Sequence, residues 1–355
     1  MKLARVLLVL AAWLAATAAS AQAPGYLDVG VVVFDPGLAE AVAPVPQQEF
    51  PQIRKAEAIY QAVQLRRVLE SDGLWGAVRV MPQASELVEL TISARILTSS
   101  GEQLSLAVTA TDASGRQWLQ GTYEASASDS AYPVAPGTDP FDSLYRRIAS
   151  ELAGQLAALP AQSREQLQTI ARLRYANSLA PEAFAGYLSG GGEVPYTLQR
   201  LPAEDDPMLQ RVERIRQQEY LFIDNVDEQY ARLHDELQPT YDLWRQNWRE
   251  QAVYEREYAA RASERESSDR RGSYAAMLSD YSTYRAFRIR QQDLDELAKG
   301  FNNEVGPTVV ESRGQVFRLS GSLESRYQDW RRILREIFAL EMGELPGQPV
   351  QPTQP

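Results

Sequence analysis

The residue of this 355-residue chain with the clearest potential for chemistry is its single histidine, His234, which precedes Asp235 and Glu236. A carboxylate beside an imidazole can orient it as a general base. This stretch has helical periodicity and is strongly charged, and side chains adjacent in a helix do not face one another. We therefore predict a solvated histidine with no catalytic role.

Other parts of the sequence were compared with known patterns of phosphate-binding, metal-binding and hydrolytic sites. The run Gly190–Gly192 neither follows a strand nor precedes a P-loop lysine, so a phosphate cradle is not supported. Glu204, Asp205 and Asp206 could bind a divalent cation, but they also stand where acidic residues cap the next helix. The chain has no Gly-x-Ser-x-Gly motif, and nothing positions its many carboxylates as a glycosidase pair. We predict a protein that is not an enzyme, with no catalytic residue, cofactor or metal site.

Composition narrows the possible functions further. The chain has no cysteine, which excludes disulfides, thiolate metal sites, cysteine nucleophiles and a lipidated cysteine. One histidine cannot build a multi-histidine zinc site. The formal net charge is −11, and it becomes −13 without the two basic residues of the amino-terminal segment. Such a net field does not favour binding to nucleic acid or anionic lipid.

The first 21 residues have the features of a signal peptide. Lys2 and Arg5 precede the apolar run Val6–Ala16, and Ala19–Ala21 forms a small-x-small cleavage site. The alternative is a retained membrane anchor, but the run is shorter than the ~20 apolar residues that a span needs. We expect export to the periplasm, cleavage near Ala21 and no transmembrane segment afterwards.

The rest of the chain is organised around one long amphipathic stretch, Met208 to about Phe301, in which apolar and aromatic residues recur at helical spacing. Pro239 predicts a kink or break just before it. The polar segment Ser263–Gly272 is where the helix would reverse, and Ser273–Asn302 would return. The pattern therefore predicts a long antiparallel helical hairpin.

This stretch is rich in tyrosine and tryptophan, whose rings suit a partly buried face with polar tips. One interpretation is that they pack inside the hairpin. The other is a surface that binds a partner protein or stacks on glycans. The candidate interaction residues are Tyr241, Trp244, Trp248, Tyr274, Tyr281 and Tyr284.

Before the hairpin, residues 25–159 show strand and helix patterns that predict a small sheet domain, which we expect to fold separately. A valine-rich strand at Leu27–Phe34 leads through a proline-rich loop to a helix at Ile53–Glu70. Four more strand patterns follow this helix, at Ala77–Met81, Val88–Leu97, Leu104–Thr111 and Trp118–Ala125. With a second helix at Phe141–Leu159, the predicted order is β-α-β-β-β-β-α. The fold class is therefore predicted to be α+β.

Shorter segments complete the chain. Residues 160–206 are predicted to hold two helices, Gln162–Asn177 and Pro181–Ser189, and a linker, before the hairpin at 207–305. Residues 306–345 are predicted to form a β-hairpin and a helix, and 346–355 a disordered tail.

The strand "VGVVVFDPG" and the run "ELTISARILTSSGEQLSLAVTATDASGRQWLQGTY" resemble bacterial envelope modules over residues 27–125. The resemblance is to the amino-terminal domain of the Tol–Pal propeller protein and to CsgG-like envelope accessory domains. It implies a protein–protein role in the envelope. The chain departs from many of these modules in lacking a lipidated cysteine and in its long helical second half. The string "VVESRGQVFRLSGSLESRYQDW" near 305–330 resembles small BON modules, which associate with phospholipid.

These observations predict a non-enzymatic periplasmic accessory or scaffold protein of the bacterial cell envelope. Its partner would be an envelope protein or a second copy of itself. Two alternatives remain open: a carbohydrate- or peptidoglycan-binding or -active envelope protein, and a lipid-associated protein that uses the BON-like end.

Overall fold

A computed structural model describes residues 26–38, 51–192, 194–203, 205–267, 308–312, 315–319 and 321–342. The helices and strands follow in chain order: β1 (Val29–Val32), α1 (Pro51–Ser71), β2 (Val78–Met81), β3 (Leu90–Ser99), β4 (Gln103–Asp112), β5 (Gln117–Ser126), α2 (Asp142–Ala157), α3 (Ala161–Leu179), α4 (Pro181–Phe184), β6 (Leu188–Gly191), β7 (Val194–Leu198), α5 (Pro207–Ser267), β8 (Thr308–Ser312), β9 (Gln315–Leu319) and α6 (Leu323–Met342). The mixed α+β class predicted from the sequence is confirmed.

The first five strands form one sheet in the order β2-β1-β3-β4-β5. β1 runs parallel to both neighbours, with Val29 opposite Val78 on one side and Leu90 on the other. The remaining pairs are antiparallel hairpins. A strand with parallel partners on both sides and helices over the sheet is buried, which explains the continuous valine run of β1.

Helices α1 and α2 pack their apolar faces into the core as their periodicity predicts. The predicted faces are buried at every position: Ala58, Ala62, Leu65, Leu69, Leu144, Ile148, Leu152 and Leu156.

Between α3 and α5 the structure differs from the prediction. The predicted helix Pro181–Ser189 shortens to the single turn α4, and the predicted linker contains the β6–β7 hairpin. Gly190 has φ +101°, and a Cβ there would lie 2.3 Å from the carbonyl oxygen of Pro195. The glycines therefore build a tight strand reversal that other residues could not adopt, and they do more than end a helix.

Helix α5 has 61 residues and begins where the sequence predicts. The carboxylate of Asp206 accepts hydrogen bonds from the backbone N–H groups of Met208 (2.8 Å) and Leu209 (3.3 Å), which is the predicted cap. Pro239 lies inside the helix, and the helix continues through it, so the predicted break is absent. Leu237 and Tyr241, on either side of the proline, pack against the same apolar cluster on α1, which holds both halves in place.

Helix α5 also covers the edge of the sheet. The N–H of Val80 in β2 donates to Asp227 Oδ1 (2.7 Å), and Arg66 of α1 donates to Asp227 Oδ2 (2.5 Å). Arg79 of β2 donates to Asp224 (2.5 Å). A helix carboxylate thus takes the place of a neighbouring strand at β2. Residues of the sheet and of α5 belong to one shared hydrophobic core.

The carboxyl-terminal elements agree with the sequence. β8 and β9 pair as an antiparallel hairpin, and α6 packs on α5, with Phe222 stacked on Trp330 (5.7 Å between ring centroids). The predicted returning helix, with Tyr274, Tyr281 and Tyr284, lies outside the described residues. None of the described helices is both long enough and apolar enough to span a lipid bilayer.

Candidate functional site

The aromatic residues singled out in α5 lie in a contact between α1 and α5, which we call the α1–α5 seam. The seam is a small apolar cluster of its own, beside the main core. Its buried members are Ile53, Ala56, Tyr60, Leu233, Leu237, Tyr241 and Trp244.

The predicted interaction residues on α5 differ in how deeply the seam buries them. Tyr241 is 1% exposed and Trp244 4% exposed, while Trp248 is half-buried. Trp244 stacks between the other two rings, at 6.0 Å from Tyr241 and 5.4 Å from Trp248. Tyr241 and Trp244 are therefore internal contacts between α5 and the sheet domain, and Trp248 lies at the rim.

A buried carboxyl group lies at the centre of the seam. Glu57 Oε1 accepts hydrogen bonds from the hydroxyls of Ser99 (2.8 Å) and Tyr241 (3.0 Å). Its Oε2 lies 3.5 Å from Arg54 Nη1. Burial raises the pKa of Glu57, and the charge of Arg54 opposes that rise only in part.

The network continues away from Glu57 into the sheet domain. Gln61 of α1 donates to the Tyr241 hydroxyl (3.2 Å), and Tyr145 of α2 donates to the side-chain oxygen of Gln61. A chain of hydrogen bonds thus joins α5, α1 and α2 through buried side chains, which fixes the relative position of the three helices.

His234 also belongs to this seam, so the predicted solvated histidine is wrong. Its side chain is fully buried, and its ring stacks on Tyr60 at 4.2 Å with an interplanar angle of 18°. Nδ1 lies 3.0 Å from Asp235 Oδ1, and Arg67 binds the same carboxylate at 2.6 Å. Burial, with a smaller contribution from the positive charge of Arg67, lowers the pKa of His234 to about 4. The ring is therefore neutral near pH 7.

Arg245 closes the other side of the seam. Its buried guanidinium binds Asp139 Oδ2 (2.9 Å) and Asp242 Oδ1 (2.6 Å), and lies 4.4 Å from the ring centroid of Tyr241. The other oxygen of Asp139 accepts the backbone N–H of Phe141 at the start of α2 (2.8 Å). One arginine thus connects α5 with the start of α2 and compensates the carboxylates buried around it.

At the rim, the seam opens into a cleft of about 480 Å³. α1 contributes Arg54 and Glu57 to the lining, the adjoining ends of β3 and β4 contribute Ser99 and Gln103, and α5 contributes Trp248. The cleft offers hydroxyl, amide and carboxyl groups for hydrogen bonding. His234 does not line the cleft, so a serine activated by histidine is not assembled here.

A second polar cluster, around Glu219 of α5, is also structural. Its carboxylate accepts hydrogen bonds from the hydroxyls of Tyr175 (2.7 Å) and Tyr327 (2.5 Å), and Arg331 lies 3.6 Å away. These partners come from α3 and α6. The carboxylate therefore joins three helices around one buried charge.

Beside it, Glu89 lies at the start of β3. Its Oε2 accepts the backbone N–H of Asp28 (2.7 Å), and Arg216 of α5 lies 3.6 Å from Oε1. Burial first, and then the negative charge of Asp28, raise the pKa of Glu89 to about 7. This carboxyl is half-protonated near neutral pH.

Sequence reasoning missed Glu57, Gln61, Ser99 and Arg245 as partners of the aromatic stripe. The one available signal was Arg245 itself, one turn beyond Tyr241 on the face expected to be buried. The partners on α1 and β3 are far away along the chain, and no periodicity connects them to α5. Comparison of the chain with protein-family models found no matching family, and comparison with curated proteins found no significant match.

Proposed function

We propose that this chain is a non-enzymatic accessory or scaffold protein of the bacterial cell envelope that works through protein–protein contacts. The observation that carries the proposal is the construction of α5. The helix is fixed to the sheet domain as far as Arg256, and its last described turns continue with mainly exposed side chains, among them Glu257 and Arg261. A helix held in this way presents a pre-formed arm to a partner.

The attachment is strong along its length. At the β3–β4 turn, a Cβ on Gly101 would lie 2.0 Å from the carbonyl oxygen of Arg245, so turn and helix are in direct backbone contact. About three turns further along, Arg256 binds both carboxylate oxygens of Glu102, at 2.6 and 2.5 Å. A bidentate arginine–carboxylate pair fixes orientation as well as distance.

The ionisable groups of the interior support the same proposal. Glu57 and Glu219 each bond to side chains from two other elements, and Arg245 joins α5 to Asp139 just before α2, as groups that hold elements together do. Export to the periplasm is supported by the signal-like residues 1–21 and by the lack of cysteine. The resemblance of residues 27–125 to envelope modules supports a binding role.

The alternative of a carbohydrate- or peptidoglycan-binding protein has less support. It depended on accessible rings at Tyr241, Trp244 and Trp248, and the first two are buried in the seam. The lipid-binding alternative depended on residues near 305–330, and the side chains of β8 and most of β9 lie outside the described part of the chain.

Photo-crosslinking in living cells tests the scaffold proposal. A photoreactive residue is placed at Glu257 or Arg261 on the arm, and at the exposed Arg146 on α2 as a matched control. We expect a discrete adduct with another envelope protein from the arm positions and none from Arg146. Arm positions that yield no adduct beyond that of the control would contradict the proposal.

A further inference from the structure

The two edge strands of the five-stranded sheet, β2 and β5, differ in what covers them. β2 is covered by α5, as described above. β5 is ten residues long and carries no lysine or proline, two residues that commonly block edge strands. Within the described part of the chain, its outward backbone groups make one hydrogen bond, from Arg147 Nη2 to the carbonyl oxygen of Glu124 (2.9 Å). An edge of this kind is a template for pairing with another strand.

The register of β5 on β4 shows which residues of β5 direct their backbone N–H and C=O groups away from the sheet. The N–H of Ala127 donates to the carbonyl oxygen of Glu102 (2.9 Å), so odd-numbered residues from here back to the bulge near Gln117 direct their backbone groups to β4. Gln120, Thr122 and Glu124 then direct theirs away from the sheet. The bond from Arg147 to Glu124 agrees with this parity. All three side chains are exposed.

We propose that a second copy of this chain pairs with β5, antiparallel, about a two-fold axis at Thr122. Outward groups must face outward groups, so Thr122 can lie opposite Thr122, with Gln120 opposite Glu124 of the other copy. An amide donor then meets a carboxylate acceptor twice, and hydroxyl meets hydroxyl at the axis.

The edge is self-complementary in this register. Centring the axis on Glu124 would oppose two carboxylates, and centring it on Gln120 would move Glu124 beyond the regular edge, opposite the turn residue Arg116. The Thr122 register uses almost the whole regular length between the bulge and Ser126. Two five-stranded sheets would then join into one continuous sheet. Arg147 must leave the Glu124 carbonyl when the strands pair. This inference does not depend on the scaffold proposal, since the arm on α5 is a different surface.

Introducing a charge at Thr122, on the two-fold axis, tests the pairing surface and its register together. The mass of the full-length exported chain is measured by light scattering over a roughly hundredfold range of micromolar concentrations. We expect a dimer, at least ~10-fold weakened by Thr122→Lys or Thr122→Glu alone and restored when these two variants are mixed. Thr109→Lys and Thr109→Glu are the controls, because Thr109 lies opposite Gln120 on the same face of β4 but one strand inside the edge.

A second measurement uses the absence of cysteine. Thr122→Cys should form a disulfide between two copies under mild oxidation, since directly opposed residues at a two-fold axis lie within disulfide range, and Thr109→Cys should not. A wild-type chain that is monomeric throughout, Thr122 variants that dimerise as well as wild type, or a mixture no better than its parts would each overturn the proposal. Circular dichroism of every variant establishes that loss of dimer is not loss of fold.

Discussion

At the scale of single residues, His234 is one group that makes stability depend on pH. Its pKa is about 4 in the folded chain against 6.5 for the ordinary side chain. The unfolded chain therefore binds the additional proton between these values, and the free energy of unfolding falls as pH falls through that window. The loss is on the order of 3 kcal/mol and is complete below about pH 4.

The variant His234→Phe isolates this effect, because it retains a ring against Tyr60 and removes the titration. Urea unfolding of wild type and variant is measured at a series of pH values, and titrations of groups that do not interact with His234 cancel in the difference. We expect the difference in unfolding free energy to shift in favour of the variant as pH falls from 6.5 to 4. A difference that stays constant across this window would show that the buried imidazole does not titrate as described.

The contribution of Glu89 to stability changes with pH in the opposite direction from that of His234. Its folded pKa of about 7 lies above the ordinary 4.5, so the folded chain keeps a proton that the unfolded chain releases. Its contribution to stability is fully present below pH 4.5 and is lost as pH rises to 7. Glu89→Gln keeps an acceptor for the Asp28 N–H, and unfolding curves of this variant should lack that loss. If wild type and variant depend identically on pH there, the assignment to Glu89 is wrong.

At the scale of elements, the seam predicts unequal costs for two neighbouring tryptophans. Trp244→Ala empties a buried site between α1 and α5 and should destabilise by about 3–5 kcal/mol. Trp248→Ala removes a half-buried ring and should cost less than about 2 kcal/mol, chiefly the stacking on Trp244. Thermal or urea unfolding measures both. Equal costs would indicate that Trp248 is as much a core residue as its neighbour.

The contact between the β3–β4 turn and α5 gives a second prediction at this scale. Gly101→Ala places a methyl group against the α5 backbone at Arg245 and Arg249, so turn and helix must move apart, at about 1–3 kcal/mol. Gly154→Ala in α2 is the matched control, since its new Cβ meets nothing within 4 Å and should stabilise the helix slightly. Similar unfolding free energies for the two variants would argue against the tight contact.

At the scale of the whole molecule, α5 and the sheet should open as one unit. They share one core, and the buried Glu57 and Glu89 of the sheet domain each have a partner on α5, Tyr241 and Arg216 respectively. We expect amide hydrogens of the buried part of α5, from Val212 to Arg245, to exchange as slowly as those of β1 and β3. Exchange beyond Arg256 should be faster. Hydrogen-exchange mass spectrometry checks this, and rapid exchange throughout α5 beside a protected sheet would contradict it.

Much of the architecture could be predicted because its signals are local. The valine run of β1, the alternation of β3 to β5 and the apolar faces of α1 and α2 each report a burial pattern that the structure repeats. The partners of those faces were not predictable in the same way. The stripe on α5 shows that Tyr241 and Trp244 need cover, but not that α1 supplies it.

Two further differences have the same origin. The environment of His234 is set by Tyr60, far away in the sequence, so a charged local context gave the wrong expectation. Pro239 weakens the helix locally, while packing on both sides of it preserves the helix, a case of tertiary contacts overriding local propensity. The β6–β7 hairpin was missed because both strands are short, β6 ends in glycines and β7 contains Pro195.

The hydrogen bond from Val80 to Asp227 has a consequence for biosynthesis. Residues 26–206, including every strand of the main sheet, emerge from the ribosome before α5 does, and until then Val80 at the rim of β2 lacks Asp227 and Glu89 lacks Arg216. The first half of the polypeptide therefore cannot reach its final state as it is made. It has to wait for a helix that is encoded later in the same chain.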